Sequence, residues 1–306
     1  MRNWCISLNS YIQTFLLCSL GISLSLLPLA LVRLLVYLLA LLAIFFLPKR
    51  KKLTRENLRS AYTNFSEKQL DSLVFVAFER AIEQGFLVVV WPFLSRKRIF
   101  KSFCLSKSNK SNLLPSDSIR STLWLIPHFC HADTLSILPS YSSLLPDVFA
   151  LYRPLRNKAI NKFVKNSRER FGVKTIDRKD GGMLKTLKVL KRGETLAMLF
   201  DQNAGGAGTR LSFMGRECSC TTLPDILNEK YKPRILFVYT RRIGFWRSCI
   251  EVEEMEPLIG GQLVIEKANA WLEAKLRSDK QLRESWLWMH QRWKPGAGQP
   301  REGRIR

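Results

Sequence analysis

The chain opens with a predominantly apolar stretch at residues 15–47, interrupted mainly by a few serines, Pro28 and Arg33. One membrane span needs about 20 apolar residues, so this stretch predicts one span followed by an interfacial helix. A secretory signal peptide is the alternative, but the stretch is too long and no small-residue cleavage site follows it. A basic cluster follows instead, formed by Lys49, Arg50, Lys51, Lys52 and Arg55. By the positive-inside rule, this cluster predicts that the remainder of the chain is cytoplasmic and lies against anionic lipid.

Beyond this stretch, short apolar runs alternate with amphipathic segments. Residues 54–94 repeat apolar side chains at helical spacing, with Ser66 near a plausible helix start, whereas residues 95–110 are basic and loop-like. Short strands are predicted at 123–126, 148–152, 173–176, 195–200, 235–240 and 248–252, and helices at 161–170, 183–192 and 265–276. This alternation predicts an α/β fold with a mostly parallel central sheet flanked by helices.

The length of 306 residues accommodates one catalytic domain of roughly 250 residues and an anchor. We predict an N-terminal membrane anchor at 1–50, a cytoplasm-facing domain at 51–295 and a basic disordered tail at 296–306. The aromatic segment at 286–293 is either core or a membrane-interface belt, and core is the preferred interpretation.

Composition adds an electrostatic constraint. Lys and Arg number 49 against 25 acidic residues, which gives a formal net charge of +24. Such a balance predicts anionic partners: phospholipid head groups, phosphorylated substrates, an acidic carrier protein or nucleic acid. The seven cysteines are scattered and odd in number, which indicates a reducing compartment rather than a disulfide scaffold.

The candidate chemistry follows the apolar run at 123–126, where Pro127 ends the strand and His128 follows at once. His128 and Asp133 are five residues apart, so on a helix their side chains diverge by roughly 140° and on a strand they face opposite sides. They can meet only around a turn. In that geometry Asp133 accepts a hydrogen bond from one imidazole nitrogen, and the other nitrogen is free to take a proton from a substrate hydroxyl.

Two other interpretations of this segment remain. One is an ordinary capped loop without chemistry. The other is a metal site with Cys130, His131 and Asp133 as ligands, which is weakened because no second cluster has ligand-like spacing. The glycine-rich turn at 204–208 has neither a G-x-G-x-x-G nor a Walker pattern, so no cofactor site is predicted there.

His128 and Asp133 match the H-x4-D/E motif of membrane glycerolipid and lipid A acyltransferases. Further blocks follow in the order seen in the late lipid A acyltransferases of the lauroyl/myristoyl type: Tyr152-Arg153-Pro154 with Asn157, Ser167-Arg168-Glu169-Arg170, Ile176-Asp177-Arg178-Lys179-Asp180, Asp201-Gln202, Phe213-Met214-Gly215 and the segment 286–294. The chain therefore resembles this family from about residue 27 to residue 295.

The resemblance implies a glycerolipid-acyltransferase-like fold and roles for particular residues. By this resemblance Arg153, Arg170 and Arg178 contact acceptor phosphates, Asn157 belongs to the substrate-binding set, and Asp201, Phe213 and Gly215 help to shape the donor and acceptor pocket. It also implies acyl carrier protein as the acyl donor, with coenzyme A as the alternative, and the bacterial inner membrane as the location. Asn203 and Ala204 depart from the acidic or aromatic residues that are more usual there, which leaves the acceptor open.

We therefore predict an acyltransferase that moves an acyl chain from a thioester to a hydroxyl of a phosphorylated glycolipid, without a metal or an organic cofactor. His128 would remove the proton, Asp133 would orient His128, and nearby donors would stabilise the oxyanion by about 3 kcal/mol. The alternatives are a lysophospholipid or other glycolipid acyltransferase, and an inactive assembly factor. Nucleic acid is not an expected partner, and a membrane-tethered nucleic-acid-binding protein is the most distant alternative.

Overall fold

The computed structural model describes residues 2–114 and 121–294, and its N-terminal part is a pair of apolar helices. They are α1 (Arg2–Leu26) and α2 (Leu29–Phe46), separated at Pro28. Within the described residues, α2 is the one helix long and apolar enough to cross a membrane. Its residues Val32, Val36 and Ala40 are fully buried, and this stripe packs toward α4 (Glu67–Val90). One face of α2 therefore belongs to the packed domain, and the predicted boundary near residue 50 stays a prediction.

The next part of the chain is helical, as predicted, with α3 (Pro48–Ala61) preceding α4. Ser66 caps α4 by accepting from the backbone N–H of Gln69, whose side chain in turn accepts from the backbone of Ser66. Such a capping box satisfies two donors that a helix start otherwise leaves unpaired.

The prediction of a loop at 95–110 was wrong. This segment forms α5 (Arg96–Ser102), β1 (Phe103–Leu105) and α6 (Lys107–Leu113). Ser95 and Ser106 cap the two helices, and Ile99 and Phe103 are fully buried. Because the segment is basic overall, its composition did not indicate that these two side chains are buried.

Six further strands join β1 in one sheet: β2 (Thr122–Ile126), β3 (Val148–Tyr152), β4 (Lys174–Asp177), β5 (Thr195–Leu199), β8 (Arg234–Gly244) and β9 (Arg247–Glu254). Within the described residues, the order of this seven-stranded sheet is β1-β9-β8-β2-β5-β3-β4. The strands from β8 to β4 are parallel, whereas β9 runs antiparallel to β8 and β1 follows the direction of β9. The predicted α/β class with a mostly parallel sheet is confirmed.

The helices that cover the sheet are α7 (Lys158–Glu169), α8 (Gly182–Lys191), α9 (Leu223–Tyr231), α10 (Val264–Ser278) and α11 (Lys280–Ser285), with a 3-10 helix at Ala132–Tyr141. A separate hairpin of β6 (Thr209–Phe213) and β7 (Arg216–Cys220) was not predicted. Leu123 and Leu125 of β2 pack into one core cluster and Trp124 into another. The sheet is thus buried on both faces, which explains why its strands read as continuous apolar runs.

The aromatic segment after α11 is core, as preferred from the sequence, because Trp286, Trp288 and Trp293 are all buried. The predicted tail at 296–306 lies outside the described residues.

Candidate active site

Polar side chains follow four neighbouring parallel strands at the carboxyl edge of the sheet. His128 follows β2, Asp201 follows β5, Arg153 follows β3 and Arg178 follows β4. Ile126 lies opposite Leu199 in the ladder between β2 and β5. His128 and Asp201 are therefore brought together by strand pairing, although they are far apart in sequence.

Asp201 holds His128 at two points. Its Oδ1 lies 2.5 Å from the imidazole Nδ1, and its Oδ2 accepts the backbone N–H of His128 at 2.8 Å. The indole Nε1–H of Trp286 also donates to Oδ2, at 2.7 Å. Burial of Asp201 raises its pKa, but the charge of His128 and the hydrogen bonds from His128 and Trp286 outweigh burial and lower the pKa to about 2. Asp201 is therefore an ionised acceptor.

This pairing assigns the tautomer of His128. A carboxylate at Nδ1 places the imidazole proton on that nitrogen, which leaves a lone pair on Nε2. The side-chain amide of Gln202 lies 2.9 Å from Nε2 and donates to it. Nε2 is thus the basic nitrogen of the site, with Gln202 as its partner.

Asp133 does not occupy the position that the sequence suggested. Its Oδ1 accepts from Arg168 Nε at 2.7 Å and its Oδ2 accepts from Gln84 Nε2 at 2.9 Å. No hydrogen bond joins Asp133 to His128 among the described residues, and Asp201 is the carboxylate that the structure pairs with His128. His131 has a left-handed backbone (φ 72°) just before the 3-10 helix, and beyond this turn Asp133 bonds to side chains of α4 and α7.

A cavity of about 290 Å³ opens beside His128. Asp133 and Arg168 lie on its wall, and its apolar lining includes Trp124, Ile126, Leu135, Val148, Ala150 and Ala197. The small side chains of Ala150 and Ala197, on the central strands β3 and β5, leave this space unfilled. An apolar cavity with a few polar groups at one end suits a hydrocarbon chain attached to a reactive head.

The arginines of the sequence motif separate into two groups. Arg153 and Arg178 are exposed beyond β3 and β4, whose residues Tyr152 and Asp177 are paired in the ladder. Arg170 lies elsewhere: its guanidinium donates to the carbonyl oxygens of Trp91 and Leu94 at 2.7 and 2.9 Å. The contacts of Arg170 are therefore structural, and Arg168, which the sequence did not single out, lines the cavity instead.

The remaining predicted residues lie outside the cavity lining. Asn157 caps α7 by accepting from two backbone N–H groups, and its amide donates to Gln13 of α1 at 2.9 Å. Phe213 is fully buried, with its ring centroid 5.6 Å from that of Trp286. Gly215 adopts φ 77° in the turn between β6 and β7, a conformation that favours glycine. Phe213 therefore packs against the indole that holds Asp201.

A buried arginine fixes the loop that carries Gln202. The guanidinium of Arg292 donates to the carbonyl oxygen of Gln202 at 2.7 Å and to Asn269 Oδ1 at 3.0 Å, and it contacts Cys220 Sγ at 3.2 Å. Sequence inspection assigned no such role to Gln202, Trp286 or Arg292. Strand order was the missing information, because each acts on a residue distant in sequence.

Two ligands of the metal site considered from the sequence, Cys130 and His131, lie in a buried cluster with Glu83. Glu83, Cys130 and His131 place their ligand atoms within 4.8 Å of one another. However, Glu83 accepts from His131 Nε2 at 3.0 Å and from Arg242 Nε at 3.0 Å, and it forms an ion pair with Arg80 at 3.2 Å. Two guanidinium groups already neutralise the Glu83 carboxylate, so this donor set suits an ion-pair network better than a metal.

The charges in this network follow from burial and contact. Burial raises the pKa of Glu83, but the hydrogen bond from His131 and the charges of Arg242 and Arg80 outweigh burial and lower the pKa to about 2. Burial lowers the pKa of His131, whose Nδ1 lies 2.7 Å from Ser248 Oγ. His131 is therefore neutral and donates from Nε2 to Glu83.

The α/β fold, the half-buried His128 with its buried partner Asp201, and the adjoining apolar cavity are features that suit an enzyme acting on a substrate with a hydrocarbon chain. The family model described as "Bacterial lipid A biosynthesis acyltransferase" matches residues 2–295. The chain therefore belongs to the bacterial lipid A biosynthesis acyltransferase family, as its motifs indicated, and it is an acyltransferase of lipid A biosynthesis. The family is membrane-associated. A comparison with curated proteins found no match.

Proposed function

We propose that the protein transfers a fatty acyl chain from the thioester of acyl carrier protein to a hydroxyl of a phosphorylated lipid A precursor. The observation that carries this proposal is the His128–Asp201 pair at the mouth of the apolar cavity. The pair provides a base for the hydroxyl, and the cavity provides a site for the acyl chain.

In this proposal His128 Nε2 takes the proton of the acceptor hydroxyl. The hydroxyl first displaces the amide of Gln202 from Nε2. Asp201 then stabilises the imidazolium that forms, as buried carboxylates do for catalytic histidines. The alkoxide oxygen forms a bond to the thioester carbonyl carbon, the carbon–sulfur bond breaks, and the imidazolium returns the proton to the leaving thiolate.

The acceptor phosphates are assigned to Arg153 and Arg178. Both are exposed at the carboxyl edge, on the strands next to β5 and β3. The planar fork of a guanidinium matches two phosphate oxygens. Asp133 retains a role in this proposal through Arg168, because its carboxylate holds that guanidinium at the cavity wall.

The donor is proposed from the resemblance, and the orientation from charge. A net charge of +24 suits the acidic acyl carrier protein that the resemblance implies. The basic cluster after α2 favours a catalytic domain on the cytoplasmic face of the inner membrane, where such a carrier is available.

Lipid mass spectrometry on cells tests the proposal. The wild-type chain is compared with a deletion, with His128→Ala and with Asp201→Asn. We expect the deletion and His128→Ala to lose one acyl chain from lipid A, with protein levels of the variant unchanged. Loss of a chain from phospholipids while lipid A stays intact would instead identify a lysophospholipid acyltransferase.

A further inference from the structure

We propose that the carboxyl edge of the sheet docks on an anionic lipid leaflet through a rim patch formed by the loops after β3 and β4. The rim patch consists of the apolar residues Leu155, Met183 and Leu184 and the basic residues Arg153, Arg156, Arg178 and Lys179. The two loops leave neighbouring strands side by side, since the backbone N–H of Arg178 donates to the carbonyl oxygen of Tyr152 at 2.9 Å.

The apolar part of the rim patch is unusually open to solvent. Leu184 is 66% exposed, Leu155 48% and Met183 47%. Met183 and Leu184 lie in the first turn of α8, directly after Gly182, where an added Cβ would lie 2.6 Å from the carbonyl oxygen of Asp177. This close approach holds the first turn of α8 against the end of β4. Large apolar side chains grouped at an edge and rimmed by charge mark an interaction site.

The basic part of the rim patch has one acidic neighbour in its loop, Asp180, whose carboxylate pairs with Lys185 instead. Arg153, Arg156, Arg178 and Lys179 are exposed, and among the described residues no ion pair joins their side chains to a carboxylate. Cations beside protruding apolar side chains form the composition that binds the interface of anionic membranes. The charge and the apolar groups therefore favour the same partner.

A second exposed apolar element lies at the end of α2. Phe45 and Phe46, at the end of α2, are 77% and 69% exposed. Arg50 follows them and donates to the carbonyl oxygen of Met289 at 2.8 Å, next to His290, which accepts the backbone N–H of Asn203. The first turn of α3, directly after α2, is thus linked through residues 289–290 to the loop that follows β5.

These two elements select a lipid surface over an acidic protein. An acidic carrier complements the arginines but offers no apolar layer to the exposed side chains at both positions, whereas a leaflet supplies both. Leu151 and Tyr152, just before the rim patch, line the cavity. A docked leaflet would therefore lie at the cavity mouth, and the acceptor lipid would reach His128 without leaving the membrane.

Hydrogen exchange on the full chain tests the docking directly. The protein is reconstituted into vesicles of phosphatidylcholine alone or of phosphatidylcholine with phosphatidylglycerol. We expect the amides of residues 179–185 to exchange more slowly on the vesicles with phosphatidylglycerol, while the loop at 256–262 is unaffected. Equal exchange in both vesicles would overturn the proposal.

A double variant, Met183→Ser with Leu184→Ser, tests its consequence. Neither residue lines the cavity, and serine adds no charge beside Arg153 and Arg178, so acyl transfer in detergent micelles should be unchanged. Transfer to an acceptor embedded in phosphatidylglycerol vesicles should fall about tenfold, as expected when two half-exposed apolar contacts are replaced by polar side chains. Ile259→Ser is the matched control: Ile259 is 78% exposed and follows β9, which ends at the opposite edge.

Three results separate the explanations. If the double variant transfers acyl chains to an acceptor in phosphatidylglycerol vesicles as fast as the wild-type chain does, the proposal is overturned. A double variant that loses affinity for acyl carrier protein but keeps its amide protection on vesicles also overturns it, and assigns the rim patch to the carrier. The acyl-transfer measurement rests on the proposed function, whereas the hydrogen-exchange measurement does not. A wild-type chain that transfers no acyl group in micelles would refute the function, and exchange would still decide the docking.

Discussion

Replacing Asp201 by Asn removes the charge that faces His128 and keeps the size of the side chain. The pKa of Asp201 falls from an ordinary value of 3.8 to about 2, which corresponds to about 2 kcal/mol of net stabilisation of the carboxylate. Losing that stabilisation from the imidazolium slows the chemical step about 30-fold. An amide at this position can also donate to Nδ1, which moves the imidazole proton to Nε2. Where a similar replacement reverses the tautomer of a catalytic histidine, the rate falls about 10⁴-fold.

We therefore expect Asp201→Asn to lower kcat by about 30-fold to 10⁴-fold, with a smaller change in KM. The assay is single-turnover acyl transfer by the purified chain in detergent micelles, with thermal unfolding as a check on the fold. Asp133→Asn is the matched control. It removes the charge beside Arg168 and leaves the Asp201 contacts intact, so its loss should be about tenfold, the scale of one charge-assisted hydrogen bond. A complete loss with Asp133→Asn and near-normal kcat with Asp201→Asn would refute the assignment.

Three further changes test the surroundings of the pair. Trp286→Phe removes the indole donor to Asp201 and should lower kcat about tenfold, whereas Trp288→Phe, whose indole donates to a backbone carbonyl, should leave kcat unchanged; equal losses would contradict a positioning role. Ala197→Leu should shift the preference toward shorter acyl chains, measured as kcat/KM across a thioester series, and an unchanged preference would show that the chain lies elsewhere. Glu83→Gln should lower the free energy of unfolding by about 3 kcal/mol at neutral pH, because it removes the fully buried charge that pairs with Arg80 and Arg242. Since the pKa of Glu83 is lowered to about 2, its contribution is complete above pH 4.5 and is lost as the pH falls toward 2; denaturant titrations should show that this acid decline is flatter in the variant, and an equally steep decline would count against the ion-pair network.

The strands could be predicted from the sequence because residues within and next to each strand determine where it begins and ends. The strand Val148–Tyr152 was predicted at its observed bounds, since Pro154 and polar residues stop an apolar run that is buried in the sheet. The prediction of a loop at 95–110 failed for the opposite reason. Its helices depend on two buried side chains and two serine caps within a basic stretch, which a compositional pattern does not resolve.

The site could be predicted only in part, because residues that hydrogen-bond to one another there are far apart in the sequence. His128 was identified from its position after a strand, but its carboxylate partner follows β5, which the sheet places beside β2. A nearby motif therefore led to Asp133. Arg170 shows a related difficulty: residues two positions apart on a helix point about 160° away from each other, so Arg168 reaches the cavity while Arg170 bonds to the end of α4.

The ladder between β2 and β5 has a consequence for how such enzymes can diverge. His128 and Asp201 each lie two residues beyond a directly opposed pair, Ile126 and Leu199, and neighbouring strands keep a spacing of about 4.8 Å. The distance between His128 and Asp201 is therefore set by the pairing of β2 with β5 and not by the surrounding loops. Loops after β3 and β4 can change in length and charge, and the cavity can change in depth, while the proton-transfer step keeps its geometry. New acceptors and new acyl chains can thus evolve on an unaltered reaction centre.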